Sequence, residues 1–158
     1  MFFSFGGTDG QFHYNDTWSF DVATRTWKEL NCIGFIPAAR EGHAAALVDD
    51  VMYVFGGRGV DGKDLGDLAA FKISSAYLSL YLLMFRVAYL HADQRWYMFQ
   101  NMGQAPSGRS GHAMSSSGTR VFVLGGESFG LTKTEDTNVI HVLDTSMYPP
   151  LFAQFFCL

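Results

Sequence analysis

Cysteine and proline are scarce, with two Cys and four Pro in 158 residues. Cys32 and Cys157 form no CxxC pair and no disulfide framework, so a reduced, cytosolic setting is expected. Basic charge is short as well. Eleven Lys and Arg against fifteen Asp and Glu give a formal net charge of −4. That leaves no basic stripe for nucleic acid and no polybasic anchor for a membrane surface. The opening Met1-Phe-Phe-Ser-Phe-Gly-Gly7 has no basic leader and reaches glycine too early to read as a signal peptide. Asn15-Asp-Thr17 matches a glycosylation sequon, but without a secretory signal it carries no weight.

What is present is aromatic and apolar. Phe, Trp and Tyr make up 16% of the chain, with 15 Phe and 7 Tyr, and 48% is hydrophobic. Pleated, half-buried surfaces take aromatic and β-branched side chains best, so strands are expected. One domain's worth of chain has ample material here for a core.

The pattern is a repeat. Arg109-Ser-Gly-His112 leads to Val121-Phe-Val-Leu-Gly-Gly126, and Arg40-Glu-Gly-His43 leads to Met52-Tyr-Val-Phe-Gly-Gly57. In both copies the His precedes the first Gly by thirteen positions, 43 to 56 and 112 to 125. A headless third copy, Phe2-Phe-Ser-Phe-Gly-Gly7, opens the chain. Fixed internal spacing of this kind marks a repeat architecture.

The first unit, residues 1–39, predicts a strand at Phe2–Phe5, a turn at Gly6-Gly7 where φ must be positive, and a loop from Thr8 to Tyr14. A half-buried strand follows at Asp16–Asp21, which alternates apolar and polar. A short strand at Trp27–Leu30 and a connection to Ala39 complete it. The second unit, 40–108, predicts strands at His43–Val48, Met52–Phe55, Leu68–Ile73 and Arg95–Phe99, one four-stranded antiparallel sheet. The third, 109–146, predicts strands at His112–Ser115, Val121–Leu124 and Val139–Asp144. Residues 147–158 form a non-repeat tail, where Pro149-Pro150 prevents a central strand.

The second unit is too long. From the second Gly to the Trp is 20 residues in the first unit (7 to 27) and 39 in the second (57 to 96), and the Gly-to-Pro spacing grows by the same 19. Composition places the excess near residues 74–93, which are nearly all apolar. Three readings compete: a membrane span through residues 76–90, a hairpin extension or partner-binding helix, and a retained intron translated in frame. The core carries Arg86 and is shorter than the roughly 20 apolar residues a span needs. Removing 19 residues restores the neighbouring spacing, which favours the third reading. The tail is read either as a docking segment or as a second non-native stretch.

These motifs resemble the Kelch-repeat family, whose units combine an Arg-x-Gly-His start, an apolar strand closed by Gly-Gly, and a Trp about 20 residues later. The third unit is similar to fungal Kelch proteins of cell polarity and cell ends. The resemblance implies an all-β Kelch-type β-propeller fragment of about two and a half four-stranded blades, interrupted by the apolar insert. Its repeat signature would be Gly6, Gly7, Trp27, Arg40, Gly42, His43, Gly56, Gly57, Trp96, Arg109, Gly111, His112, Gly125 and Gly126. The implied function is a non-catalytic protein-interaction scaffold, cytoplasmic and placed at the cell cortex or cell ends. It would need no cofactor, metal or small-molecule substrate. Two rivals stand beside it: a galactose-oxidase-like copper enzyme, and a membrane-tethered fragment through residues 76–90.

Several chemical motifs are decoys. Gly57-Arg-Gly-Val-Asp-Gly-Lys63 matches a phosphate-binding loop, but Asp64 follows where Ser or Thr should bind Mg²⁺. Gly108-Arg-Ser-Gly-His112 lacks the second glycine position of a nucleophile elbow. The repeated His43 and His112 have no third or fourth metal ligand nearby, and Glu135, Asp136 and His141 lack the four-residue steps of the plant specifier proteins. Cys32 and Cys157 are misplaced for a copper site. Trp18, Trp27 and Trp96 read as blade core before sugar or peptide platforms. Partner binding is expected in the loops after the glycine pairs, Thr8–Asn15, Arg58–Gly66 and Glu127–Thr137, because loops on a rigid scaffold carry function.

Overall fold

The computed structural model describes residues 1–73, 94–99, 103–128, 140–146 and 154–157. Residues 74–93, which contain the apolar insert, lie outside the described residues, as do 129–139 and 147–153. Among the described residues every regular element is a strand. They are β1 (Phe2–Thr8), β2 (His13–Asp21), β3 (Thr26–Glu29), β4 (Ile33–Gly34), β5 (Arg40–Glu41), β6 (Ala44–Val48) and β7 (Val51–Phe55). Then follow β8 (Arg58–Gly59), β9 (Leu68–Lys72), β10 (Arg95–Met98), β11 (Ala113–Ser117), β12 (Arg120–Leu124), β13 (Ile140–Asp144) and β14 (Gln154–Cys157).

The strands form three blades. The first is β1-β2-β3; the second is β6-β7-β9-β10, extended by β4; the third is β11-β12-β13-β14. Within each blade neighbours pair antiparallel, whereas β4 joins β10 in parallel through Arg95 opposite Ile33 and Trp96 opposite Gly34. The stretch read as a plain connection thus ties the first unit to the second. The tail set outside the repeats supplies the third blade's fourth strand, with Gln154–Cys157 opposite Asp144–His141. It sits at the sheet edge and beyond the prolines, where a missing N–H donor does no harm.

The first hairpin is tighter than expected. β1 continues past Gly6-Gly7 to Thr8 and β2 starts at His13, with a register shift between Phe5 and Gly7. The Asp9 carboxylate closes the turn by accepting from the backbone of Gln11 at 2.9 Å and Phe12 at 2.8 Å, a local bond that lets a short turn replace a long loop.

The core lies between the blades. Phe3, Phe5 and Leu30 of the first pack on Met52, Val54, Phe71 and Trp96 of the second. Tyr53, Phe55, Leu68 and Phe99 of the second pack on Val121, Val123 and Leu143 of the third. β7 is therefore covered on both faces and buried along its whole length, as its continuous apolar run requires. β12 is apolar from Val121 to Leu124, yet only alternate residues are buried.

Candidate functional site

All three glycine pairs hold the left-handed backbone that the sequence asks for, with φ of 58° and 102° at Gly6-Gly7, 66° and 93° at Gly56-Gly57, and 65° and 88° at Gly125-Gly126. The Arg-x-Gly-His heads lock the second and third of these turns. The buried Arg40 donates from Nη1 to the Gly56 carbonyl at 2.9 Å and from Nε to the Ala38 carbonyl at 2.9 Å. Its two terminal nitrogens also reach the two Asp67 carboxylate oxygens, each at 2.8 Å. Burying a guanidinium is costly unless it is paired and fully hydrogen-bonded, and this bidentate pairing supplies both conditions. Arg109 repeats the geometry, donating to the Gly125 carbonyl at 2.9 Å, the Ser107 carbonyl at 3.1 Å and Ser107 Oγ at 3.3 Å.

The histidines reach backwards across blade junctions. His112 of the third blade bonds through Nε2 to the Phe55 carbonyl of the second at 3.0 Å, its ring edge-on to Phe55 at 5.6 Å. His43 makes the same pair of contacts with Phe5 of the first blade, at 5.5 Å between rings. A carbonyl only accepts, so Nε2 carries a proton, and burial keeps the ring neutral. Burial pushes His112 down to about 4, with Arg109 and His43 adding to the fall and the Phe55 carbonyl opposing it. His43 is also lowered, first by burial and then by Arg40. These rings are hydrogen-bonding pegs. Among the described residues, no group of three His, Cys, Asp or Glu could hold a metal ion.

The glycines mark where adjacent blades touch. A Cβ on Gly56 would lie 2.6 Å from the Arg109 carbonyl and 2.8 Å from His112 Cε1. One on Gly6 would lie 2.9 Å from the Tyr14 carbonyl and 3.2 Å from that of Arg40. Backbone bonds complete the seam, from Gly57 N to the Arg109 carbonyl and from Gly111 N to the Gly42 carbonyl, both 2.8 Å.

The two tryptophans at equivalent repeat positions part company. Trp96 is fully buried, packs at a tilt against Phe5 at 4.7 Å and Phe71 at 5.2 Å, and donates from Nε1 to Thr17 Oγ1 at 3.1 Å. Trp27 occupies the same place in the first blade, opposite Phe20 as Trp96 is opposite Phe71. It packs at a tilt against Phe20 at 5.0 Å but is 56% exposed. Core packing, expected for all three tryptophans, therefore fails for Trp27, because no described residue forms a blade against that face. Trp18 is half-buried and donates to Asp16 Oδ2 at 2.6 Å.

The loops after the glycines gather polar contacts with the next unit's head. His13 Nε2 lies 3.5 Å from Glu41 Oε1, and Arg58 Nη2 donates to Ser110 Oγ at 3.4 Å. Glu41 and Ser110 hold the same place in their heads. The phosphate-loop decoy folds on itself: β8 pairs with β5, Arg58 pairs with the buried Asp64 carboxylate at 3.2 Å, and Leu65 N bonds the Gly57 carbonyl at 2.7 Å. It opens no helix and spends its backbone donors internally. At the tips, Phe12 is 64% and Val60 74% exposed. Of the third loop, Glu127 and Ser128 are described, and Glu127 exchanges two backbone bonds with Ser110 at 2.9 and 3.0 Å. Asp67 and Thr17 were not singled out from the sequence. Thr17 carries no repeat signal, since Leu68 and Ile140 hold its place, and although Asp67 matches Asp16 of the first unit, that match does not name the arginine it faces.

Comparison with known proteins agrees with this architecture. The KLHDC2/KLHL20/DRC7 Kelch-repeats domain family matches residues 1–148. Tip elongation aberrant protein 1 of Schizosaccharomyces pombe (strain 972 / ATCC 24843) is 36% identical over 112 residues, 71% of this chain and 8% of the relative. Kelch domain-containing protein 3 of Rattus norvegicus is 28% identical over 145 residues, 89% of this chain and 34% of the relative. Rab9 effector protein with kelch motifs of Bos taurus is 28% identical over 123 residues, 77% of this chain and 29% of the relative. The chain spans between 8% and 34% of the length of these curated relatives. With three blades built on Arg-x-Gly-His heads and glycine-pair turns, and a family match over nearly its whole length, the chain belongs to the Kelch-repeat family.

Proposed function

We propose that this chain is part of a Kelch-type protein-interaction scaffold and that it binds partners through the loops after its glycine pairs. The observation that carries this is the pair of loop tips. Each holds a large apolar side chain in solvent, Phe12 at 64% and Val60 at 74% exposure, on a turn fixed by its own hydrogen bonds. An exposed apolar group on a rigid turn binds with little ordering cost. The third loop, to Thr137, lies mostly outside the described residues.

The reading is non-catalytic, with a cytoplasmic position at the cell cortex or cell ends. Support for the cell ends is the likeness to tip elongation aberrant protein 1, and support for binding proteins is the likeness to a Rab9 effector with kelch motifs. Among the described residues no helix is long and apolar enough to cross a membrane; residues 76–90 lie outside them.

The test replaces Phe12 and Val60 together by Ala and compares affinity capture with the unaltered chain in cells. Loss of specific partners with an unchanged melting curve is expected. Retention of every partner would move the binding surface elsewhere. Stoichiometric copper in purified protein would instead favour the galactose-oxidase-like rival.

A further inference from the structure

The loops after the glycine pairs and the Arg-x-Gly-His heads run into one another as a single strip. His13 of the first loop lies 3.5 Å from Glu41 of the second head, and Glu41 pairs across β5 and β8 with Arg58 of the second loop. Arg58 in turn donates to Ser110 of the third head, whose backbone exchanges two bonds with Glu127 of the third loop. The exposed apolar tips stand on this strip, Phe12 one residue before His13 and Val60 two after Arg58.

The charges of the strip sort into two groups. Among the described residues its basic side chains are all engaged. Arg40 is buried on Asp67, Arg58 holds the Asp64 carboxylate, and Lys63 pairs with Asp61 at 3.0 Å. Arg109 is buried and gives its donors to the Gly125 and Ser107 carbonyls. Three carboxylates are not engaged in this way. Asp9 accepts only from neutral donors, the Phe12 backbone at 2.8 Å, the Tyr14 hydroxyl at 2.7 Å and the Gln11 backbone at 2.9 Å. These bonds hold it down at about 2, so it stays ionised. Glu41 meets His13 with 40% of its side chain exposed, while Arg58 opposite turns to Asp64. Glu127 is exposed, and its bonds to Ser110 are made by its backbone. The rest of the third loop sets Lys133 against Glu135 and Asp136, so its sequence adds no excess of positive charge. A surface that neutralises its cations in place and leaves its anions open presents a negative field beside its apolar tips.

We infer that the segment these loops bind is basic, a stretch of Lys or Arg beside large apolar residues. Its apolar side chains seat on Phe12 and Val60, and its cations face Asp9, Glu41 and Glu127. This rests on the loops being the binding surface and names the chemistry they select. Complementary charge steers encounter and suppresses wrong partners, so the same carboxylates turn acidic segments away. Each exposed ion pair contributes little to affinity. The tips therefore anchor and the carboxylates choose.

Selection of random linear peptides displayed on phage against the 158-residue chain tests this. Enriched peptides should carry Lys or Arg next to large apolar residues. A synthetic copy of the most enriched one should bind more weakly as salt rises. Glu41→Gln with Glu127→Gln, neither of them buried, should weaken that peptide roughly three- to tenfold at low salt. The pair should also flatten the salt dependence and leave the melting curve unchanged. Enrichment of acidic or uncharged peptides, no enrichment, or indifference to the two Gln substitutions would each overturn the inference. Phe12→Ala with Val60→Ala separates it from the reading it rests on. A peptide that needs the tips and not the carboxylates keeps the loops as the binding surface and removes the charge rule. A peptide indifferent to the tips removes the loop reading and the inference with it.

Discussion

Gly56 and Gly125 share a backbone conformation, with φ of 66° and 65°, and differ in what surrounds them. A Cβ at Gly125 meets nothing within 4 Å, whereas at Gly56 it meets the Arg109 carbonyl at 2.6 Å. Left-handed backbone costs an L-residue about 1–2 kcal/mol, so Gly125→Ala should lose about that much. Gly56→Ala adds a collision with backbone that cannot move without parting two blades, and should lose about 3 kcal/mol or more. Urea denaturation of the two variants checks the difference, and equal losses would contradict the junction described here. The histidines give a pH signature. His112 falls from an ordinary 6.5 to about 4 in the fold, so between these values the unfolded chain binds a proton that the folded chain refuses. Stability is then complete above about pH 6.5 and is lost as pH falls towards 4. His43, lowered in the same direction, steepens the loss. His112→Gln, which keeps a side-chain N–H for the Phe55 carbonyl, should flatten the pH dependence of the melting temperature over that window. These residues were legible from their spacing, and their turn geometry followed from chemistry. Their partners were not. Asp67 beneath Arg40 lies 27 positions away within the same unit and Thr17 beneath Trp96 lies 79 away across a junction, and a repeat period equates positions between units without saying which side chains face each other.

The strands themselves read well from periodicity, and the departures have local causes. The Asp9 turn shortened the first loop; β4 and β8 are two-residue strands, below what any pattern reveals. β14 escaped because the tail carries no Trp, the landmark that marked the fourth strand elsewhere. The apolar insert is the element with the plainest prediction. Lys72 and Arg95, which bracket it, are register partners in adjacent antiparallel strands, just as Asp21 and Thr26 bracket a short turn in the first blade. The hairpin is therefore closed at its base whatever joins the two strands. Deleting residues 74–92 leaves Ile73, Asp93 and Gln94 to make the turn and removes the entropy of a long closure, about 1–2 kcal/mol by chain statistics. The shortened chain should fold with the same strand pairing and melt at the same or a higher temperature. A collapse of secondary structure on deletion would show instead that the segment is part of the second blade.

At the scale of the whole molecule, stability is a matter of neighbours. Repeat proteins sum the stability of each unit with that of each interface, and both hydrophobic clusters here are shared between blades rather than held within one. The second blade is buried from both sides, and Trp96, Phe71 and Val54, all at 0% exposure, owe that burial to Phe3, Phe5 and Leu30 of the first. Removing residues 1–31 strips that cover and the Thr17 acceptor of the Trp96 indole, while leaving every strand of the second and third blades in the chain. Exposing a buried Trp and Phe forfeits about 1.5–3 kcal/mol for each side chain of that size, a large share of a small domain's margin. The truncated protein should therefore melt well below the parent and show red-shifted emission from Trp96, its single remaining tryptophan. Deleting residues 147–158 makes the contrast, since the described strand it removes, β14, is the edge of the third sheet; its effect on melting should be smaller. If the two truncations destabilise equally, the blades stand by their own sheets and the junctions count for little. If the amino-terminal loss is the greater by several degrees, the Gly-Gly, Arg and His signature is the chemistry by which one blade holds up the next.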